Sequence, residues 1–431
     1  MAKIDKNITQ FKLLMKEYDI TFAENSFYDN GKKLLEFIHI FDNVADSRIP
    51  GKCIYSTKFI VFVVFLALLG NCETWQEIAD FAEYRYDTLS KYIEYPETLP
   101  VHDTYMRVFS KINCKTLEDS IINFLIECTK NVVNDNVSHN GFEQIAMDGK
   151  ALRGSGRKYD TDEKIANQHI MHFWDVSNQL CIRSVTISEK TNEIPVAQQV
   201  LSELDIKNKI ITSDALNCQK ETVNVIVEGK GHYVLALKAN HSSFHEDIAK
   251  YFDEHILKIM NTSNYYKPEI EKNHNQVEVR EYFRVDASSF YQEDEWKNIK
   301  SVVCYRKKLW NNHTKNESYE YRYFISDLKD VETIAIAIRN HWSVENNLHH
   351  TLDKFMHEDA NKTMDKNANN NLSLVRKMVA AIIVLIAPLF KGGSKQRTIK
   401  SFNAHYDENL VRLFKFLEGK ELKELLNKKN N

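Results

Sequence analysis

The chain reads as an α/β protein built on a mixed sheet and preceded by a mainly helical N-terminal domain. Three observations predict this. Residues 1 to about 135 carry helical periodicity and few β-prone runs. From Phe142 three short β-prone runs follow one another: Phe142–Met147, His169–Val176 and Leu180–Ile187. After them helix and strand alternate, which is the signature of an α/β layer rather than an all-β fold.

Bulk composition sets the bounds. The chain has 431 residues, 43% of them hydrophobic, enough for two or three domains with proper cores. Twelve Gly and six Pro exclude collagenous and low-complexity classes. Seven scattered cysteines, an odd number with no CxxC pair, point to a reduced cytoplasmic protein with free thiols. A net charge of −3 argues against a chain that binds polyanions over its whole surface, although a local basic face acts independently. Lys391–Lys400 (KGGSKQRTIK) is one such stretch, and reads equally well as a solvated loop.

The elements follow in order. The first twenty residues lack the apolar centre of a signal peptide. Thr57–Leu69 is an apolar helix. Its unbroken run Phe59–Leu69 and a second run, Met378–Phe390, both fall short of the roughly eighteen residues that suggest a membrane span, so both are expected to be buried helices and no membrane is involved. Glu73–Glu83 has helical spacing, and another helix starts near His102 with Asp103 as its expected cap. Asn131–Gly141 is polar and reads as a linker. Beyond the three strand runs, helices Pro195–Leu204 and Gln219–Val227 alternate with strands Lys209–Thr212 and His232–Leu237. Residues 241–325 are strand-rich and look inserted, and helix returns from about Val331. The domains expected are therefore 1–135, then 142–390 with an insertion at about 241–325, then a helical tail at 391–431.

Asp148 directly follows the apolar run QIAM, and Asp214 directly follows IITS. Acids at the carboxyl ends of core strands lie where α/β sheets form ligand sites. The segment Arg339–Asp359 adds a third acid. Read as one helix it has an apolar stripe of Ile334, Ile338, Val344, Leu348 and Leu352, with His341 and Glu345 on the same face. A glutamate facing inward is costly unless it is paired or holds a metal. Asp148, Asp214 and Glu345 together would make an oxygen-rich site suited to Mg²⁺ or Mn²⁺. Two such cations about 3.5–4 Å apart support phosphoryl transfer. A rival reading joins His341, Glu345 and His349 as ligands of a zinc hydrolase. Lys150, Arg153, Lys238 and Arg339 lie near the acids in sequence and would suit the phosphates of a nucleic acid. Trp342 is either core or a surface for base stacking.

Five ordered segments carry a resemblance: DSRIPGKCIY through LPVHDTYMRVFS, AMDGKALRGS, TSDALNCQK, GHYVLALKAN and RNHWSVENNLHHTLDKFMHED. In these the chain resembles the H-repeat-associated branch of bacterial insertion-sequence DDE transposases, across about 330 residues. The resemblance implies an RNase H-like mixed-sheet catalytic core with a β-rich insertion, behind an N-terminal transposase-associated domain that binds DNA or serves as an accessory. It implies Asp148, Asp214 and Glu345 as catalytic and metal-binding acids, and Mg²⁺ or Mn²⁺ as cofactor. The implied partners are double-stranded DNA, at the element's terminal inverted repeats and at a target, and further copies of the chain in a synaptic complex. Related enzymes carry a Tyr-Arg-Glu-Lys signature around the third acid, and here Ile338, His341 and Leu352 stand at its Tyr, Arg and Lys positions, with Arg339 adjacent. The family's His-Gly-Arg-x-Glu-x-Arg motif is HNQVEVR here, keeping His274, Glu278 and Arg280. Arg280 thereby joins the expected DNA contacts. A catalytically impaired DNA-binding remnant is the alternative these substitutions raise.

Overall fold

A computed structural model describes residues 39–90, 95–129, 141–158, 164–187, 193–268, 270–273, 276–290, 296–311 and 313–386. Nearly all of the expected linker, the Lys391–Lys400 stretch and the C-terminal tail lie outside these residues. The chain divides into two compact units. One comprises residues 1–133, 152–168 and 348–431, and the other 134–151 and 169–347.

The first unit is helical. Helix α1 (Thr57–Leu69) is apolar all round, and Phe59 through Leu69 are all buried, as a helix without a polar face must be. Helix α2 (Trp75–Tyr84) opens with a capping box, in which Thr74 Oγ1 accepts from the Glu77 amide while Glu77 bonds back to the Thr74 amide. Helix α3 (His102–Phe109) begins without the cap expected of Asp103. Val101 takes the capping position, and Asp103 sits in the first turn, where its charge favours the helix dipole. Helix α4 (Cys114–Thr129) follows.

The second unit is built on one large sheet. Its strands are β1 (Glu143–Leu152), β2 (Gln168–Asp175), β3 (Leu180–Ile187), β4 (Lys209–Ser213) and β5 (His232–Leu237). Helices α5 (Glu193–Glu203) and α6 (Lys220–Glu228) connect β3 to β4 and β4 to β5. The order β3-β2-β1-β4-β5 has β4 parallel to both β1 and β5, while β2 and β3 form an antiparallel hairpin. Three sequential strands, then a helix, a strand, a helix and a strand in this order make the RNase H-like arrangement.

The inserted region does not form a separate layer. After helix α7 (Ser242–Ile259), strands β6 (Gln276–Asp286), β7 (Ser301–Asn311) and β8 (Glu317–Ser326) continue the same sheet, with β8 antiparallel to β5 and the order running β5-β8-β7-β6. Side chains alternate between the two faces. Ile145, Met147, Met171, Phe173 and Ile211 pack with Ala197 and Val200 of α5, Val223 of α6 and Ile248 of α7. On the opposite face Ile210, Val234, Val303 and Phe324 pack against helix α8 (Val331–His341) through Ile334, Ala335 and Ile338.

Past α8 the chain does not continue as the single α-helix its periodicity suggests. Val344–His349 forms a π-helical segment before helix α9 (His350–Lys354) begins. Helix α10 (Lys366–Ile386) closes the first unit. Asn371 Nδ2 bonds the Phe109 and Ile112 carbonyls, and Asn367 Nδ2 bonds those of Ser110 and Ile112, so asparagines inside this helix satisfy the carbonyls at and just past the C-terminus of α3. No helix among the described residues is long and apolar enough to cross a membrane.

Candidate active site

Register brings the first two acids together. The parallel ladder between β1 and β4 ends at the pair Met147–Ser213. The next level in both strands is Asp148 and Asp214. Neighbouring strands lie roughly 4.8 Å apart, so the two carboxylates start from adjacent backbone positions. Period-2 alternation sends both to one face: Gln144 and Thr212 point toward α8, and Asp148 and Asp214 stand four and two residues further on.

Glu345 reaches this face from the π-helical segment. It is solvent-exposed, which corrects its expected place on the buried stripe. Val344 and Leu348 take the core positions, and the wider π turn rotates Glu345 off them. Insertions of this type often accompany functional sites. Electrostatics tie the three acids together. Burial raises the Asp148 carboxyl to about 7, and the charges of Glu345 and then Asp214 add to the shift. Among the described residues, no group of three His, Cys, Asp or Glu side chains is arranged to hold a metal ion. The three carboxylates share a field without closing a ligand sphere. Their donor set of hard oxygens, held at a cost in mutual repulsion, fits a divalent cation in chemistry.

A polar network holds α8 over these strand ends. Gln144 Nε2 donates to Thr212 Oγ1 at 3.0 Å and to the Ala337 carbonyl at 2.9 Å. Thr212 Oγ1 lies 3.0 Å from His341 Nδ1. A bulge between Phe173 and Trp174 breaks the β2–β3 register, and Trp174 Nε1 donates to Ser343 Oγ at 3.1 Å. Asn347 Nδ2 donates to Gln179 Oε1 at 2.6 Å. His341 is thus a clamp. Burial lowers it to about 4 despite the opposing charge of Asp214, so it is neutral at physiological pH and supplies no cation at the signature's arginine position. The zinc reading lacks its geometry: the π segment breaks the spacing that would align His341, Glu345 and His349, and no three-ligand group of that kind occurs among the described residues. At the other two signature positions, Ile338 and Leu352 are buried core residues.

The expected basic contacts divide. Lys150 is buried within β1, which removes it as a phosphate contact. Arg153 belongs to the first unit, where it is exposed and pairs with Asp359, Nε to Oδ2, at 3.6 Å. Lys238 is exposed just past β5. Arg280 pairs with Glu271 and Glu278, and exposed Arg339 reaches Glu271 at 3.3 Å. Arg280, Lys307, Arg339, Tyr282, Tyr305 and Trp342, together with Glu278, line one groove of about 130 Å³. Trp342 is not a core residue; the Arg322 guanidinium stacks 4.7 Å from its ring centre. His274 and Asn275 of the HNQVEVR motif lie outside the described residues.

Sequence reasoning missed Glu193. It opens α5, and its carboxylate lies against β1, where a Cβ on Gly149 would sit 3.0 Å from Oε1. The available signal was a glycine directly after Asp148, a position that would leave room for a neighbour.

The sequence profile described as "Transposase DDE domain" matches residues 139–382, and that described as "DDE_Tnp_1-associated" matches residues 38–125. "H repeat-associated putative transposase YhhI" of Escherichia coli (strain K12) is 32% identical over 376 residues, covering 86% of this chain and 95% of that protein. "Putative protein YbfL" of the same strain matches with the same identity and coverage. Among solved structures, a piggyBac transposase synaptic complex with hairpin DNA aligns over 97% of this chain and 81% of that one, with 11% identity and a TM-score of 0.36.

Proposed function

We infer the chemistry from one premise: this chain belongs to the DDE transposase family. The reaction we propose is divalent-metal-dependent phosphoryl transfer on double-stranded DNA. One strand is hydrolysed at the end of an insertion sequence, and the freed 3′-hydroxyl then attacks target DNA. The observation that carries this reading is the register, in which Asp148 and Asp214 occupy the first level past a parallel ladder, with the Glu345 charge acting on Asp148. Asp148, Asp214 and Glu345 would hold Mg²⁺ or Mn²⁺. When bound, such cations make water a nucleophile at neutral pH and stabilise the leaving oxygen.

The chain's own groups do the rest. Asp148, raised to about 7 by burial, would hold a cation in its ionised form, releasing its proton to solvent. Arg280, Arg339 and Lys238 neutralise phosphates along the strand, with Glu271 and Glu278 holding Arg280 in position. Trp342, backed by Arg322, offers a stacking surface to a base. Residues 1–135 would act as the DNA-binding or accessory domain, and synapsis of two ends calls for more than one copy of the chain in the cytoplasm.

The test is direct. Purified chain with Mg²⁺ and DNA carrying its element's ends is expected to nick one strand, and Asp148→Asn to abolish nicking. Cleavage that survives Asp148→Asn would sink the assignment. A second reading rests on Ile338, His341 and Leu352, none of which supplies a charge at its signature position. It describes a remnant that binds DNA without cutting it, and it predicts salt-sensitive, metal-independent binding and no nicks.

A further inference from the structure

We propose that Glu193 is a fourth carboxylate of the cation site, reaching it through the space that Gly149 leaves in β1. The inference rests on the triad reading above and extends it to a residue outside the family signature. Its geometric basis is a close approach. The two Glu193 carboxylate oxygens lie 3.0 and 3.2 Å from where a Cβ at position 149 would stand, so a side chain there would press the carboxylate back by a few tenths of an ångström. Position 149 faces α5 and position 148 faces α8, because side chains alternate along a strand. The β1–β4 ladder stops at Met147–Ser213 while β1 runs on to Leu152, so beyond that level β1 lacks β4 beside it and groups from both faces can meet there. Glu193 comes from one side, Asp148 and Asp214 from the other.

Two further observations support a cation between them. Burial and mutual repulsion act on both groups: burial first, then neighbouring carboxylates including Glu193, raise Asp148, and burial followed by the charge of Asp214 raises Glu193. Beside them Asn217, 1% exposed, donates Nδ2 to Asp214 Oδ1 at 3.2 Å, while its own Oδ1 meets no hydrogen-bond donor. A buried amide oxygen without a donor, beside carboxylates, is what a hard cation satisfies. His169 Nδ1 lies 3.9 Å from Glu193 Oε1, too far for a hydrogen bond, and the His169 side chain is half exposed.

The competing account makes Glu193 a first-turn acid that favours its helix dipole and touches His169. The experiment separates the two by metal binding rather than by turnover. Full-length chain is titrated with Mn²⁺ by calorimetry, alongside Glu193→Gln, Gly149→Ala and Asp148→Asn, with thermal melting as a control for folding. The expected result is about a tenfold weaker Mn²⁺ affinity for Glu193→Gln, and a similar loss for Gly149→Ala, which keeps the carboxylate but pushes it away. Unchanged affinity in both, with Asp148→Asn weakened, overturns the role of Glu193 and leaves the triad standing. Unchanged affinity in Asp148→Asn overturns the triad reading itself.

Discussion

At Asp148, burial and two neighbouring charges raise the carboxyl to about 7. Between the ordinary carboxylate range and that value, the folded chain holds a proton that the unfolded chain has released, so stability falls as pH rises through this window. His341 has the opposite sign. Its folded value of about 4 lies below that of the unfolded imidazole, so stability rises with pH from about 4 to 6.5. In metal-free buffer the two contributions oppose each other over their shared range. Asp148→Asn is expected to stabilise the chain at pH 7 by roughly 1–3 kcal/mol and to leave a stability that climbs with pH. His341→Gln is expected to remove that climb. Urea unfolding from pH 4 to 8 measures both, and matching pH profiles for wild type and Asp148→Asn would contradict the assigned environment. Neither shift was legible in the sequence, because each depends on burial and on charges brought in by distant segments.

The element that decides the site is α8 with its π-helical continuation. The apolar spacing Ile334, Ile338, Val344, Leu348 is plain in the sequence, and all four are buried. What the spacing did not reveal is the extra residue in the turn that moves Glu345 out of the stripe. No Gly or Pro marks the place; the segment is held instead by anchors in the sheet, Thr212 and Trp174, and by Gln179 in the β2–β3 turn. Thr212→Val keeps the shape of the side chain but removes the hydroxyl shared by Gln144 and His341. It is expected to cost roughly 1–3 kcal/mol in chemical denaturation and to reduce nicking, since two buried polar groups lose a partner. In the first unit Gly154 has a comparable role. A Cβ there would stand 2.6 Å from the Asp359 carbonyl and press on that of Asn361 as well. Both neighbours are backbone, so Gly154→Ala is expected to lower the melting temperature by several degrees, consistent with roughly 1–3 kcal/mol of overpacking.

For the molecule as a whole, a chain with net charge −3 would bind DNA through a local surface, as the proposed function requires. Lys238, Arg280 and Arg339 belong to the sheet-based unit and are its expected phosphate contacts. If each neutralises one phosphate, Lys238→Gln and Arg339→Gln should each reduce the slope of log affinity against log salt by about 1, read by anisotropy titrations at several salt concentrations. An unchanged slope would remove that residue from the DNA surface. Local pattern was enough to read the order of helices and strands, the apolar faces and the two acids that directly follow apolar strand runs, Asp148 and Asp214, because period-2 and period-3.6 patterns are local. Even so, β1 runs on to Leu152 through Asp148, Gly149 and Lys150, polar residues that hid its true length. Only the tertiary structure decided that the inserted strands extend the sheet, that Lys150 is buried, that His341 is a neutral clamp and that Glu193 stands beside Asp148. Each of these depends on which distant segments pair and at what register, and strand register is fixed by the packing of the whole sheet rather than by any one strand.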